Sequence, residues 1–209
     1  MPFFDGARGR VHYRTWNAAE PHADLVFLHG RGQHSGNYHR FAGLLAARGI
    51  STWALDLYAH GLSEGDAEGL DADPIVTLDG LVADAAHLAT LPDSGRPLAL
   101  MGHSLGTATA VPLLARTPTV FSSAVFCALP TRLVDPDTLA GADATGVPIL
   151  VVHGVDDRMV PIDPVRSLVG ERTGAQFVGY DDAGHDLLHE KVHATVTGDV
   201  ADHILRYAP

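Results

Sequence analysis

The stretch that most constrains how this chain can fold is Leu98-Ala99-Leu100-Met101-Gly102-His103-Ser104-Leu105-Gly106-Thr107, an apolar run that breaks into Gly-x-Ser-x-Gly and continues as an alanine-rich amphipathic segment. It reads as strand, sharp turn and helix. A serine hydroxyl is a weak nucleophile, so it has to stand clear of the sheet, face a base and have backbone N–H donors nearby. A strand-to-helix turn meets all three needs. Gly102 and Gly106 let strand and helix approach around a strained Ser104, and the helix N-terminus adds its partial positive charge. The five-residue pattern is weak evidence alone; the strand before it and the helix after it give it meaning.

The rest of the chain repeats the alternation. Apolar runs at 25–28, 51–57, 125–129 and 148–152, with 176–180, read as further strands, and the continuous ones as strands covered on both faces. At the N-terminus, Phe3-Phe4, a polar turn over 5–9 and the alternating 10–16 predict a hairpin. Helical spacing runs through Phe41, Ala42 and Leu45 to a stop at Arg48-Gly49, and again through Leu78, Leu81, Val82, Ala85 and Ala89 after a Gly- and Asp-rich loop at 58–74. Asp163-Pro164 predicts a helix start with an N-cap and a first-position proline, and Leu188, Val192, Val196, Val200 and Ile204 predict the closing helix. Pro112 falls inside the helix after Ser104 and should kink or shorten it. The expectation is an α/β fold: one domain over 1–209, with a doubly wound, mainly parallel sheet of about eight strands, helices on both faces and functional groups at the carboxyl ends of the strands. Residues 131–146 read as a short polar connection.

Composition narrows the partners. A formal charge of -11 argues against nucleic acid or an anionic membrane surface, both of which demand clustered Lys and Arg. Cys127, the single cysteine, excludes an intramolecular disulfide and reads as a small buried hydrophobe. No charged leader precedes an apolar segment, and no apolar stretch approaches the ~18 residues of a membrane span. The expectation is a cytoplasmic protein. Oligomeric state is not legible.

Three candidate groups fall at the ends of three different predicted strands: Ser104, Asp157 and His185. Serine, acid, histidine is the chain order of α/β-hydrolases. In that arrangement His185 takes the Ser104 proton during attack on a carbonyl, and the aspartate fixes the imidazole tautomer. The expected oxyanion donors are the backbone N–H groups of Leu105 and of Arg31, in the loop after His29-Gly30. Gly30, Gly102, His103 and Gly106 are expected to shape the turns. The run from His185 to His189 has the spacing of a zinc helix, but it lacks the glutamate such hydrolysis needs, so neither a metal nor another cofactor is expected.

The segments His29-Gly30-Arg31-Gly32-Gln33-His34-Ser35-Gly36-Asn37-Tyr38, His60-Gly61-Leu62-Ser63-Glu64-Gly65, the serine pentapeptide, residues 154–161 and residues 184–190 resemble monoacylglycerol lipases and related lysophospholipase-type esterases over nearly the whole chain. The resemblance implies a serine hydrolase of carboxylic esters that works through an acyl-enzyme. Its Gly-x-x-Asp-x-x-Val-Pro pattern selects Asp157 over Asp156 as the acid. Asp56 and His60 match residues that shape a loop. Two departures stand out. Tyr58-Ala59 occupies the place of Arg-Gly, and 131–146 is far too short for the helical cap those families insert there. Small to medium acyl esters, with monoacylglycerols among them, are therefore the expected substrates. A thioesterase or acyltransferase on the same residues, or a non-catalytic ligand-binding module, is the alternative.

Overall fold

The computed structural model describes residues 2–66, Glu68 and residues 74–208. A hairpin of β1 (Phe3–Gly6) and β2 (Gly9–Trp16) leads into β3 (Ala23–Leu28), α1 (His39–Ala46), β4 (Ile50–Leu55), α2 (Pro74–Leu88), β5 (Leu98–His103), α3 (Leu105–Arg116), β6 (Ser123–Cys127), α4 (Pro136–Asp143), β7 (Ile149–Gly154), α5 (Ile162–Arg172), β8 (Gln176–Tyr180) and α6 (His193–Arg206). The sheet has eight strands in the order β1-β2-β4-β3-β5-β6-β7-β8. The six strands from β3 onward run parallel, and β2 joins them antiparallel to β4. This is the doubly wound α/β architecture that the alternation implies.

Successive strand residues point to opposite faces, so the middle of a strand buried on both sides is apolar on both, as Leu25-Val26-Phe27-Leu28 of β3 are. β3 shows this: Leu25 and Phe27 join a core shared with Phe41 of α1 and Val196 of α6, whereas Val26 and Leu28 join a second core with Leu81 of α2 and Val111 of α3. Helices α1 and α6 thus cover one face, and α2 to α5 the other. Parallel strands place all their carboxyl ends along one edge of the sheet, and every loop bearing a candidate group leaves from that edge.

The structure differs from the sequence reading in four places. The 131–146 connection is not merely polar: it contains α4, whose N-cap Asp135 accepts the backbone N–H groups of Asp137 and Thr138 and whose Leu139 and Ala142 are buried. Asp163 is not an N-cap. Pro161 holds that place in α5, with Asp163 in the first turn beside Arg166. Leu188 is buried but precedes α6, with Val192 at the N-cap. Pro112 does not shorten α3, which runs on to Arg116. Part of the 58–74 loop, residues 67 and 69–73, lies outside the described residues.

Two glycines fix how closely α3 sits on the sheet. A Cβ on Gly106 would lie 2.0 Å from the carbonyl oxygen of Leu28, and one on Gly102 would lie 2.3 Å from the carbonyl of Gly106. Both obstacles are backbone, so no side chain can move aside. We expect Gly106→Ala to lose more than about 3 kcal/mol in a urea unfolding titration, or to be recovered only as insoluble protein. Stability within about 1 kcal/mol of the parent would contradict this packing.

Candidate active site

Ser104 sits between β5 and α3 with φ 51° and ψ -112°, a left-handed backbone that costs a non-glycine residue free energy and persists only when its surroundings impose it. They do so here. The Ser104 N–H donates to the carbonyl of Cys127 on β6 (3.0 Å), and the Thr107 hydroxyl lies 2.7 Å from the carbonyls of both Gly102 and Cys127.

The structure brings the three sequence-selected side chains together. His185 Nδ1 is 2.8 Å from Asp157 Oδ2, and His185 Nε2 is 3.0 Å from Ser104 Oγ. A carboxylate only accepts, so the proton belongs on Nδ1, and Nε2 presents its lone pair to the serine hydroxyl. Asp156 is exposed and plays no part in this chain of hydrogen bonds, while Asp157 is buried. Asp157 Oδ1 accepts the backbone N–H groups of Met159 (2.9 Å) and Val160 (2.8 Å). Burial pushes its carboxyl up, but hydrogen bonds from His153, His185 and the Val160 N–H outweigh that and hold it well below the usual carboxylate range.

The loop after β3 carries Arg31. Gln33 N–H donates to the carbonyl of Gly30 (3.2 Å), closing a four-residue turn that needs a left-handed third residue, supplied by Gly32 at φ 75°. His29 Nδ1 donates to the same carbonyl (2.8 Å), while its Nε2 accepts the Leu57 N–H (3.0 Å). Because the peptide unit is planar and trans, drawing the Gly30 carbonyl toward His29 and Gln33 turns the Arg31 N–H the opposite way. Leu105 N–H belongs to the first turn of α3, where no intrahelical acceptor exists. Arg31 and Leu105 line one cleft of about 570 Å³. Its apolar wall includes Leu78 and Leu81 of α2, Leu105, Ala108 and Pro112 of α3, and Leu133 and Val134. Pro112 therefore lies on the face of α3 that meets the cleft.

Asp56 and His60 shape loops, as their positions in the sequence imply. The Asp56 carboxylate accepts the N–H groups of Ser35 (2.7 Å) and Leu62 (2.9 Å) and pairs with buried His12 (2.9 Å), and His60 Nδ1 donates to the Tyr58 carbonyl. Ala59, in the place of the expected glycine, has φ 62°. Sequence reasoning missed Gln33, Tyr38, His153 and Glu190 as parts of the site. His153 Nε2 donates to the Val160 carbonyl (2.8 Å) and lies 3.4 Å from Asp157 Oδ2. Glu190 accepts the Gly184 N–H (2.6 Å) and the Asp186 N–H (3.1 Å), bracketing His185. The one signal for His153 was its place at the end of an apolar run, four residues before Asp157.

The family described as serine aminopeptidase S33 matches residues 19–136, a little over half of the chain. Mouse monoglyceride lipase is 31% identical over 144 residues, covering 66% of this chain and 45% of that enzyme. The chain thus spans about half the length of such curated relatives. A monoacylglycerol lipase of Mycolicibacterium smegmatis is 26% identical over 277 positions, covering 98% of this chain and 96% of that one. Because 277 exceeds 209, that relative contains residues with no counterpart here. Among solved structures, a Xanthomonas campestris protein described as an α/β serine hydrolase without lid superposes with a TM-score of 0.77 at 19% identity, covering 100% of this chain and 94% of that one. Among the described residues, no helix is long and apolar enough to cross a membrane.

Two buried histidines give the site a pH signature. Burial holds His29 neutral, its pKa lowered to about 3, and does the same to His103, lowered to about 4. Unfolded, each takes up a proton near 6.5, so the unfolded state binds more protons as the pH falls. Their stabilising contribution is complete above about pH 6.5 and is lost toward the folded values, at about 1.4 kcal/mol per pH unit for each histidine. We expect denaturant unfolding at pH 5 to show a stability lower by some 2 kcal/mol or more than at pH 7.5. Equal stability at both would contradict buried, neutral histidines.

Proposed function

The chain belongs to the serine aminopeptidase S33 family of α/β-hydrolases, and on that premise we propose that it is a serine hydrolase cleaving carboxylic esters of small to medium acyl chains, monoacylglycerols among them, through an acyl-enzyme. The observation that carries the reading is the unbroken chain from Asp157 Oδ2 through His185 to Ser104 Oγ. The named activities of the mouse and Mycolicibacterium relatives support an ester as substrate.

Ser104 Oγ attacks the ester carbonyl carbon as its proton passes to His185 Nε2. The negative charge that develops on the carbonyl oxygen is met by the N–H groups of Leu105 and Arg31, worth about 3 to 4 kcal/mol per donor in comparable sites. Asp157 stabilises the imidazolium without taking its proton. Collapse expels the alcohol, which leaves with the proton from His185. Water, activated by the same imidazole, then attacks the acyl carbon and releases the acid and free Ser104.

The cleft lined by Leu105 and Ala108 is the proposed acyl site. Along one face of α3, Leu105, Ala108, Pro112 and Arg116 line it, and at 1.5 Å per residue they span about 16 Å. With carbon–carbon bonds of about 1.5 Å, that is room for roughly a dozen extended carbons. Half of residues 131–146 form α4, which packs against α3 and α5, and the stretch before it lines one wall of the cleft through Leu133 and Val134, a span too short to close a tunnel over it. Likeness to a protein described as lacking a lid supports the same reading.

Two experiments test the assignment. Asp157→Asn should fold but lose about 10³- to 10⁴-fold in kcat on p-nitrophenyl butyrate, because the histidine is held in the wrong tautomer. Asp156→Asn should cost less than about tenfold. The reverse ranking would move the acid to Asp156. For the cleft, specificity constants should rise with chain length, by at most about 0.8 kcal/mol per methylene, and level off at medium chains; Leu133→Asp, at an exposed lining position, should flatten the rise while leaving acetate ester hydrolysis within about threefold. A continued climb through sixteen carbons, or an unaltered profile in Leu133→Asp, would place the acyl chain elsewhere.

A further inference from the structure

The mechanism leaves Gln33 without a part, yet this one side chain joins the loop carrying Arg31 to the loop carrying His185. Its Oε1 accepts the N–H of Gly30 (3.0 Å) and the hydroxyl of Tyr38 (2.5 Å), and its Nε2 donates to Asp186 Oδ1 (2.9 Å). The orientation of the amide is forced by its partners. A backbone N–H can only donate and a carboxylate only accept, so oxygen must face Gly30 and nitrogen must face Asp186. Glutamate at this position would lack the donor, and lysine would lack the acceptor.

The same two loops meet again at His103. Buried and neutral, it donates from Nε2 to the carbonyl of His185 (2.9 Å), while its Nδ1 faces the Tyr38 hydroxyl (3.3 Å). A Cβ on Gly30 would lie 2.7 Å from both His103 Nδ1 and Gln33 Oε1, so the β3 loop is pressed directly onto this pair. Glu190 holds the His185 loop from within, through Gly184 and Asp186, but does not reach the β3 loop. The Gln33 amide does.

We propose that Gln33 is a positioning residue: by binding Gly30 and Asp186 at once, it fixes the Arg31 N–H and the His185 imidazole relative to each other, so that oxyanion donor and base meet one tetrahedral centre. This rests on the serine-hydrolase reading above. Both groups act most strongly in the transition state, so losing their alignment lowers kcat while leaving ground-state binding of the ester nearly intact.

The test uses the full chain with p-nitrophenyl butyrate, alongside labelling of Ser104 by a fluorophosphonate. Gln33→Glu keeps the acceptor for Gly30 and Tyr38 but sets a carboxylate against Asp186; kcat should fall about tenfold or more, with KM within about threefold. Adding Asp186→Asn returns a donor with the polarity of the bond reversed, and the double variant should regain at least about half of the lost activity on a logarithmic scale. A merely structural role would give no such rescue. If Gln33→Glu fails to fold, Gln33→Leu removes the bridge without adding charge, and the same loss confined to kcat is expected. Wild-type kcat in the folded Gln33 variants, or a Gln33→Glu deficit that Asp186→Asn leaves untouched, overturns the proposal while leaving the serine-hydrolase reading standing. A wild-type protein that neither labels at Ser104 nor hydrolyses esters overturns both.

Discussion

Everything at the candidate site depends on how closely α3 lies against the centre of the sheet. Side chains at Gly102 or Gly106 would meet backbone atoms of the facing element, so only hydrogen at those positions allows the approach. That approach forces the chain through a turn of one residue, and Ser104 takes the left-handed conformation the turn requires. Hydrogen bonds from Ser104 N and Thr107 Oγ1 to the end of β6 then keep the strained residue from relaxing. The hydroxyl is lifted off the sheet edge as a consequence of packing, and the start of α3 arrives beside it with its unbonded N–H groups.

Around this turn the protein uses buried histidine as structural material. His29, His103 and His153 are all buried, and each has a ring nitrogen directed at a backbone carbonyl in a loop at the carboxyl edge of the sheet. An imidazole can donate at one nitrogen and accept at the other, so a buried ring can bracket two loops without carrying charge into the core. His29 does this between the β3 loop and the segment after β4, and His103 ties the end of β5 to the His185 loop by donating to the His185 carbonyl. The thirteen histidines of the chain are thus partly explained without a metal.

The parts of this arrangement that the sequence displayed were those with a short-range signature. Ser104 was visible because its glycines flank it, His185 and Asp157 because they follow strands in a known order, and the sheet because buried parallel strands are continuously apolar. Local signals are ambiguous where tertiary packing decides. Asp135-Pro136 and Asp163-Pro164 carry the same helix-start cue, but only the first caps a helix, within a connection whose polar composition hides it, while at Asp163 the helix begins earlier and the aspartate falls inside it. The periodicity of Leu188 with Val192 and Val196 was real as burial but not as helix, because the turn closed by Glu190 intervenes. Gln33 lies in the family-like segment after β3, but nothing local announces its bridge: its partners lie 3, 5 and 153 positions away, and only the folded chain brings Asp186 to it.

The central claim is that Ser104 forms a covalent acyl intermediate. The most direct measurement is rapid acid quenching of the protein during turnover of a p-nitrophenyl ester, followed by intact-mass and peptide mass spectrometry. The account predicts one acyl group per chain, on the peptide containing Ser104, and neither adduct nor turnover above background in Ser104→Ala. An adduct on another residue, or a Ser104→Ala protein that hydrolyses the ester at the wild-type rate, would contradict it.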